Sequence, residues 1–142
     1  MKNMLLLDKF TLKAQEAIQN ALQFAEELCH REILPEHLLA ALLQDKEGII
    51  PQIVERINIP IRELSKRLEG ELNTKAKVEG SQPFISHRLN KVLSQAQKIA
   101  TGMKDEYVSL EHIFLALYKE EDGLLNQELR KNGIKEEDIL RV

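Results

Sequence analysis

Several residue types are scarce in this 142-residue sequence, which has one cysteine, no tryptophan and only 4% aromatic residues. The single cysteine, Cys29, excludes an internal disulfide, and such usage is typical of a reducing compartment. The 20 basic and 23 acidic residues give a net charge of −3. A nucleic-acid-binding protein needs a basic face and aromatic side chains for stacking, so the composition argues against nucleic acid as the main partner.

Long apolar runs are absent as well. The run Met4–Leu7 near the N-terminus is interrupted at once by Asp8 and Lys9, which is too short for a signal-peptide core or a membrane span. We therefore expect a cytoplasmic protein with no membrane partner.

Motifs for cofactors and catalysis are also lacking. The six glycines are scattered, with no G-x-x-x-x-G-K-[ST] or G-x-G-x-x-G pattern. Cys29 and His30 have no second ligand pair at metal-binding spacing, and no Ser, Cys or Thr lies in a recognisable nucleophile motif. The sequence predicts no cofactor, metal or catalytic residue in this chain.

The residues that are abundant favour helix. Apolar residues make up 43% and charged residues 30% of the chain, which is typical of a soluble globular domain. Leucine, isoleucine and alanine are frequent, while aromatic and β-branched runs are few, which favours helices over strands. A chain of this length fits a single all-α domain with a substantial core.

A repeat with an offset of 75 residues organises the chain. The segments 35–42 (PEHLLAAL) and 110–117 (LEHIFLAL) resemble each other, and an ungapped shift of 75 aligns 10–64 with 85–139. Identical pairs in this register include Ala21/Ala96, Ala25/Ala100, Glu36/Glu111, His37/His112, Gly48/Gly123 and Ile59/Ile134. An ungapped register of 55 residues indicates an internal duplication.

Each unit of the repeat predicts four helices. The first runs from Thr11 to about Leu28 and has its counterpart after Ser86, with Thr11 and Ser86 as N-caps. The second begins at the Glu-His pair, with Pro35 in its first position and Ser109 as the cap of the second copy. The third covers about 51–57 and 126–132.

The stops of the third helices are predicted from two different residues. Asn58 and Gly133 occupy equivalent positions, and both tolerate the left-handed backbone of a helix stop. An isoleucine follows each of them, as expected when a Schellman-type stop folds back on its helix. The fourth helix is expected from Pro60 to about Leu72 and again over 135–142, where the chain ends inside the predicted helix.

The repeat defines the expected domain organisation. Repeat one covers about 10–72, a linker about 73–84 and repeat two about 85–142, and Gly80, Ser81 and Pro83 break helix in the linker. A lone unit would expose its apolar face, so the two should pack together as one domain over 1–142. We predict an all-α, eight-helix bundle made of two pseudo-symmetric four-helix repeats.

Two groups of residues are candidates for binding a partner. Glu36 and Glu111 favour the positive end of a helix dipole, and a compatible interpretation is that, being expected on the surface, they accept a cationic or guanidinium group of a partner. The apolar residues Phe84, Ile85, Leu89 and Leu93 either line a groove for extended or amphipathic segments or fill the seam between the units.

Four segments carry a resemblance to a known family. They are 9–17 (KFTLKAQEA), the motif 35–42, the linker segment 77–86 (KVEGSQPFIS) and 105–112 (DEYVSLEH). Together they resemble the N-terminal domain of the Clp-type AAA+ unfoldases and disaggregases, and the linker is most similar to the ClpB branch. The resemblance implies a compact eight-helix domain at the front of a hexameric ATPase ring, recruiting unfolded or aggregated proteins or adaptor proteins.

The resemblance also implies site residues and cofactors. Family substrate contacts lie on an apolar groove and on polar positions matching Thr11, Asp105 and Glu111, while in the ClpC-like branch the positions of Glu36 and Glu111 are associated with phosphorylated arginine. ATP and magnesium are expected only in ATPase modules outside this chain. We expect the isolated domain to be monomeric.

Three functional hypotheses follow. The first is a noncatalytic substrate- or adaptor-recruiting domain of a ClpB-like chaperone. The alternative is a free-standing adaptor, or an N-domain serving a ClpA- or ClpC-type protease, which the length of chain beyond Val142 would distinguish. A third, a small helical enzyme with Glu-His acid–base pairs, requires a pocket that joins a glutamate to a histidine.

Overall fold

The computed structural model describes residues 7–80 and 82–142. The predicted linker residue Ser81 and the apolar residues before Leu7 lie outside the described residues. Within them the structure has eight α-helices, which confirms the all-α, eight-helix prediction. The helices are α1 Leu12–Glu27, α2 Pro35–Gln44, α3 Ile49–Arg56, α4 Ile61–Asn73, α5 His87–Gly102, α6 Leu110–Lys119, α7 Leu124–Lys131 and α8 Glu136–Leu140. A 3-10 helix covers Leu7–Lys9, and two short strands are β1 Glu32–Ile33 and β2 Phe84–Ile85.

The two long helices begin at the predicted caps. The Thr11 hydroxyl accepts the backbone N–H of Ala14 at 3.1 Å, and the Ser86 hydroxyl accepts that of Leu89 at 3.0 Å. The third helix of each unit starts two residues earlier than predicted, because Gly48 and Gly123 serve as its N-cap residues.

The stops of α3 and α7 are left-handed, as predicted. Asn58 has φ 63° and Gly133 has φ 75°. The N–H of Ile59 donates to the carbonyl of Val54 at 3.1 Å, and that of Ile134 donates to Leu129 at 2.9 Å. These are the backward bonds of a Schellman stop, and they cap carbonyls that the helix itself cannot pair.

The same kind of stop ends α1 and α5, where no residue type in the sequence signals it. Cys29 has φ 59° and Lys104, its equivalent 75 residues later, has φ 63°. The N–H of His30 donates to Ala25, and that of Asp105 to Ala100, each at 2.9 Å. The two units therefore leave their first helices along the same path.

Reciprocal backbone pairing joins the two units. Strands β1 and β2 are parallel, with Ile33 opposite Ile85, and a second parallel bridge joins Phe10 to Val108. The offset of 75 converts one pair into the other. Each unit thus pairs the segment before its first helix with the segment before the other unit's second helix, an arrangement that the sequence did not predict.

A single apolar core contains side chains from both units. Its largest fully buried members include Phe10, Phe114, Leu38, Leu64, Leu89, Leu93, Ile113 and Leu129. Ala21, Ala25, Ala96 and Ala100 are buried in α1 and α5, so α2 and α6 approach them closely. Among the described helices, none has both the length and the apolar character that a membrane crossing requires.

Candidate functional site

The histidines of the two Glu-His pairs cap their own helices. The Nδ1 atom of His37 accepts the backbone N–H of Leu34 at 2.8 Å, and that of His112 accepts the N–H of Ser109 at 2.9 Å. A histidine here takes the place of the glutamate in a capping box. Because Nδ1 is an acceptor, the neutral ring carries its proton on Nε2.

The Nε2 atoms lead to different partners in the two units. In unit one, Nε2 of His37 lies 2.9 Å from Nδ1 of His30. In unit two, Nε2 of His112 lies 2.8 Å from Oδ2 of Asp105, the equivalent of His30. His30 is 3% exposed, whereas the Asp105 side chain is 52% exposed. The same hydrogen-bond chain therefore ends in the interior of unit one and at the surface of unit two.

Burial keeps the histidine pair of unit one neutral. Desolvation, then the nearby His30 and Lys75, lowers the pKa of His37 to about 4. Desolvation, Lys77 and Lys75 also lower the pKa of His30. Both rings are uncharged at neutral pH, as their mutual hydrogen bond requires.

The two glutamates of the Glu-His pairs lie in different environments. Glu36 is 5% exposed and accepts Nη2 of Arg88 at 2.9 Å, while Nε of Arg88 donates to Glu120 at 2.8 Å. The expectation that Glu36 is on the surface is therefore wrong, because Arg88 reaches across from the second unit. Glu111 is exposed, as expected.

The Arg88 guanidinium is held by both carboxylates. The hydrogen bond to Glu120 raises the pKa of Arg88, burial opposes this, and the bond to Glu36 raises it further. A Cβ at Gly123 would lie 2.6 Å from Oε1 of Glu120, so a side chain there would displace the Glu120 carboxylate from its present position. The cluster therefore joins the two units, and the Glu36 carboxylate is occupied by the Arg88 guanidinium of the same chain.

A second arginine crosses between the units beside the first. Nη1 of Arg67 donates to Glu128 at 2.6 Å, and Nη2 of Arg67 donates to Gln127. Both arginines line an open cavity of about 980 Å³. Both guanidinium groups in the cavity wall bond a glutamate of the opposite unit, so they hold the two units together.

The predicted apolar groove beside the linker is not formed as expected. Leu89 and Leu93 are 0% exposed and belong to the core, so the alternative that they pack internally is correct. A partner cannot reach them because α5 turns this face inward. Of the predicted set, Phe84 is half-exposed and Ile85 is partly buried.

Exposed apolar side chains lie instead in the two segments that the Phe10–Val108 bridge joins. Four of them, which we call the apolar patch, are Leu7, Leu12, Met103 and Tyr107 at 39%, 76%, 45% and 49% exposure. The bridge places the segment 7–12 beside the segment 103–108. Leu12 and Tyr107 are apolar residues that fall outside the apolar stripes of the helices. This is the signal by which the sequence could have identified the surface.

The polar candidates implied by the family resemblance lie in the same segments. In the chain, Thr11 directly precedes Leu12, and Asp105 lies between Met103 and Tyr107. Glu111 lies in the first turn of α6, which begins after Tyr107. The Thr11 hydroxyl is already engaged as the N-cap of α1. Asp105 has one oxygen on His112 and a half-exposed side chain. The two segments that the bridge joins thus carry both exposed apolar side chains and a half-exposed carboxylate.

Comparison with known families and proteins agrees with this architecture. Residues 9–132 match the model of the Clp repeat (R) N-terminal domain. Relatives include the chaperone protein ClpB of Nitratidesulfovibrio vulgaris, 36% identical over 96% of this chain, and that of Bdellovibrio bacteriovorus, 36% identical over 89%. The chain spans 16% and 15% of the length of these two proteins. The chain belongs to the Clp repeat N-terminal domain family.

Solved structures share the fold. The N-terminal domain of Candida albicans Hsp104 matches with a TM-score of 0.78 at 25% identity, covering 92% of this chain and 86% of that one. The N-terminal domain of the ClpV1 ATPase from Escherichia coli matches with a TM-score of 0.82 at 25% identity, covering 96% and 84%. A ClpV N-domain solved with a VipB peptide matches with a TM-score of 0.77 at 17% identity, covering 98% and 91%. The predicted resemblance to Clp N-terminal domains is confirmed.

Proposed function

We propose that this chain is the noncatalytic recruiting domain of a ClpB-like, ATP-dependent disaggregase, and that it binds unfolded segments or adaptor proteins at the apolar patch. The observation that carries the proposal is that the Phe10–Val108 bridge joins two segments that together carry four exposed apolar side chains and the half-exposed carboxylate of Asp105. Contiguous exposed apolar area on a folded domain is characteristic of an interaction site. An unfolded segment offers such area, which the native fold of the same protein buries.

The relatives support a role in a larger machine. The two bacterial relatives are named as ClpB chaperones, and the ClpV N-domain was solved with a bound peptide. In this proposal ATP and magnesium belong to ATPase modules outside the chain, a hexameric ring threads the recruited protein, and the machine works in the cytoplasm. A free-standing adaptor of the same fold is the alternative, and it would use the same surface.

The arrangement of the Glu-His pairs supports a noncatalytic role. Glu36 is bound by Arg88 and His37 by His30, so the two residues of this pair serve separate contacts. In the other pair, His112 bonds Asp105 and Ser109. Acid–base catalysis by a Glu-His pair would require the two groups to act on one substrate atom, and here both histidines hold structure.

The test is a binding titration with a permanently unfolded protein. Reduced, carboxymethylated α-lactalbumin serves as the probe, and native α-lactalbumin as its folded counterpart. We expect the chain to bind the unfolded form only. Leu12→Ser and Tyr107→Ser should each weaken binding about fivefold, since each loses about 1 kcal/mol of apolar burial.

A matched control comes from the last helix. Leu140 is 51% exposed and lies in α8, outside the two segments that the Phe10–Val108 bridge joins, so Leu140→Ser should leave binding unchanged. Absence of binding to the unfolded protein would refute the proposal. Equal losses for Leu140→Ser and Leu12→Ser would also count against the apolar patch as the site.

A further inference from the structure

The first helices of the two units carry opposite charges on their exposed sides. Helix α1 has three acidic residues and one lysine, whereas α5 has two lysines and one arginine but no acidic residue. Glu16 in α1 and Lys91 in α5 occupy equivalent positions of the repeat, and both are exposed. The duplicated helix is therefore acidic in unit one and basic in unit two.

Four of these charges are exposed and have no partner among the described residues. They are Glu16 and Glu26 in α1 and Lys91 and Lys98 in α5, and none of them forms an ion pair within the part of the chain that the structure describes. Arg88, the arginine of α5, is bound by two glutamates of the same chain instead. Each helix thus presents two like charges to the surroundings of the molecule.

The spacing of the charges places each pair along one side of its helix. Lys91 and Lys98 are seven residues apart, which is about two turns and about 10 Å along the axis. Glu16 and Glu26 are ten residues apart, which is about three turns and about 15 Å. Lysine and glutamate side chains are long and flexible enough to span the difference, so both lysines can meet a glutamate at once.

Equivalent faces of opposite charge favour a contact between two copies of the chain. The α5 face of one copy attracts the α1 face of another, while two α5 faces or two α1 faces repel each other. One such contact joins two different faces, so a pair of copies keeps one free face of each type. Contacts of this heterologous kind continue from copy to copy, and they close into a ring where the rotation allows it.

We propose that α5 of one copy binds α1 of a second copy, with Lys91 and Lys98 facing Glu16 and Glu26. The contact has a dissociation constant in the millimolar range, because each exposed ion pair contributes little. The isolated chain is therefore monomeric at micromolar concentration and associates where copies are held close together. This inference is independent of the recruiting function, since it needs no unfolded partner.

Association at millimolar concentration tests the proposal. NMR relaxation of the isotope-labelled chain measures its rotational correlation time. This time should rise with protein concentration at about 0.1 M salt and cease to rise at about 1 M salt, where the Debye length falls to about 3 Å.

A charge reversal on α5 tests the basic face. Lys98→Glu should weaken the association about fivefold, since one attractive pair becomes repulsive. Lys98 is chosen because, unlike Lys91, it does not line the cavity between the units. Lys131→Glu makes the same change of charge at an exposed residue of α7 and should have no effect.

A mixing experiment tests whether the acidic face is the partner of the basic one. Glu16→Lys should also weaken self-association, with Glu69→Lys at an exposed residue of α4 as its control. Lys98→Glu and Glu16→Lys should nevertheless associate with each other. The reason is that the unaltered α1 of the first variant can face the unaltered α5 of the second. The labelled variant should therefore tumble more slowly when the other, unlabelled, is added.

Several results would overturn the proposal. They are a correlation time that does not depend on concentration, equal effects of Lys98→Glu and Lys131→Glu, and no association in the mixture of Lys98→Glu with Glu16→Lys. The titration with carboxymethylated α-lactalbumin is made at micromolar concentration, where the copies stay apart. Failure of that titration would therefore leave the contact between α1 and α5 standing, and absence of self-association would leave the recruiting function standing.

Discussion

His37 and His112 hold the same helix position, yet only one of them ends its hydrogen-bond chain in the interior. His37 bonds His30, which is 3% exposed, whereas His112 bonds the half-exposed Asp105. The acceptor for His37 is the uncharged ring of His30, which does not compensate a positive charge. The buried pair is therefore stable only while His37 is uncharged. Unit one has therefore gained a buried, acid-sensitive pair, and unit two has gained a surface carboxylate.

The buried pair predicts a loss of stability in mild acid. In the unfolded chain His37 titrates near its ordinary pKa of 6.5, but the folded value is about 4. The unfolded state thus binds more protons between these values, so the stabilisation present above about pH 6.5 is lost as the pH falls towards about 4. We expect a loss of about 2 kcal/mol by pH 4.5 from this ring.

The variant His30→Asp, which copies unit two, should remove much of this loss. A carboxylate beside His37 favours the protonated ring and raises its pKa, and Lys75 and Lys77 favour the carboxylate in turn. Urea unfolding followed by circular dichroism between about pH 8 and about pH 4.5 measures the effect. The difference at the upper pH reports the cost of replacing the buried neutral ring by a buried carboxylate, which Lys75 and Lys77 offset in part. An unchanged slope in the variant would contradict the assignment.

Two glycine variants separate backbone conformation from packing. A Cβ at Gly133 or at Gly70 meets nothing within 4 Å, but Gly133 has φ 75° while Gly70 lies inside α4. Gly133→Ala should therefore destabilise by about 1 kcal/mol, whereas Gly70→Ala should stabilise by up to about 1 kcal/mol. Thermal unfolding of both variants checks the signs, and a shift in the same direction for both would be inconsistent with a left-handed helix stop.

At the scale of the elements, Arg88 is the contact through which three helices meet. It lies in α5, bonds Glu120 just after α6, and bonds Glu36 in the first turn of α2. Lys13 occupies its place in unit one, and a lysine cannot serve two carboxylates with a planar fork. The duplication has thus diverged at the position that fastens the units together.

Removal of Arg88 should destabilise the fold through the carboxylate that it leaves behind. Arg88→Ala leaves Glu36, at 5% exposure, without a cation. We expect a loss of about 2 kcal/mol, less than for a fully buried pair because the Arg88 side chain is 41% exposed. Adding Glu36→Gln should recover about half of it. A double-mutant cycle in urea provides the measurement, and full additivity would show that the pair does not interact.

The helix boundaries illustrate which local features the sequence predicts. Thr11 and Ser86 mark the starts of α1 and α5 because capping is a contact over three residues of sequence. Asn58 and Gly133 mark stops because few residue types accept a left-handed backbone. The stops at Cys29 and Lys104 were missed, since neither residue type signals that conformation and the surrounding fold imposes it.

At the scale of the whole molecule, the reciprocal bridges make each unit depend on the other. The N–H of Thr11 donates to Val108 at 2.9 Å, and that of Ser86 donates to Ile33 at 3.1 Å. Each unit contributes one segment to each of the two bridges, and the apolar core contains side chains of both units. Neither unit can open without breaking contacts of its neighbour.

We therefore expect the chain to unfold in one cooperative transition. Tyr107 and Tyr118 both lie in the second unit, so tyrosine fluorescence reports on that unit, while far-ultraviolet circular dichroism reports on all helices. The two signals should share one urea midpoint. Separate midpoints would show that the units fold independently and would refute the single-domain prediction.

The sequence by itself determined the repeat, the helix content, the principal caps and the family, because these depend on periodicity and on contacts over a few residues. Only the tertiary structure decided which of two equivalent positions is buried. Glu36 and Glu111 are identical in type and register, yet Arg88, 52 positions away, covers the first and leaves the second exposed. Leu89 and Leu93 likewise could not be assigned to core or surface before the packing of α5 was known. The surface around the Phe10–Val108 bridge, where a partner is proposed to bind, likewise depends on the fold, because the bridge joins two segments that are far apart in the sequence and that no local pattern relates.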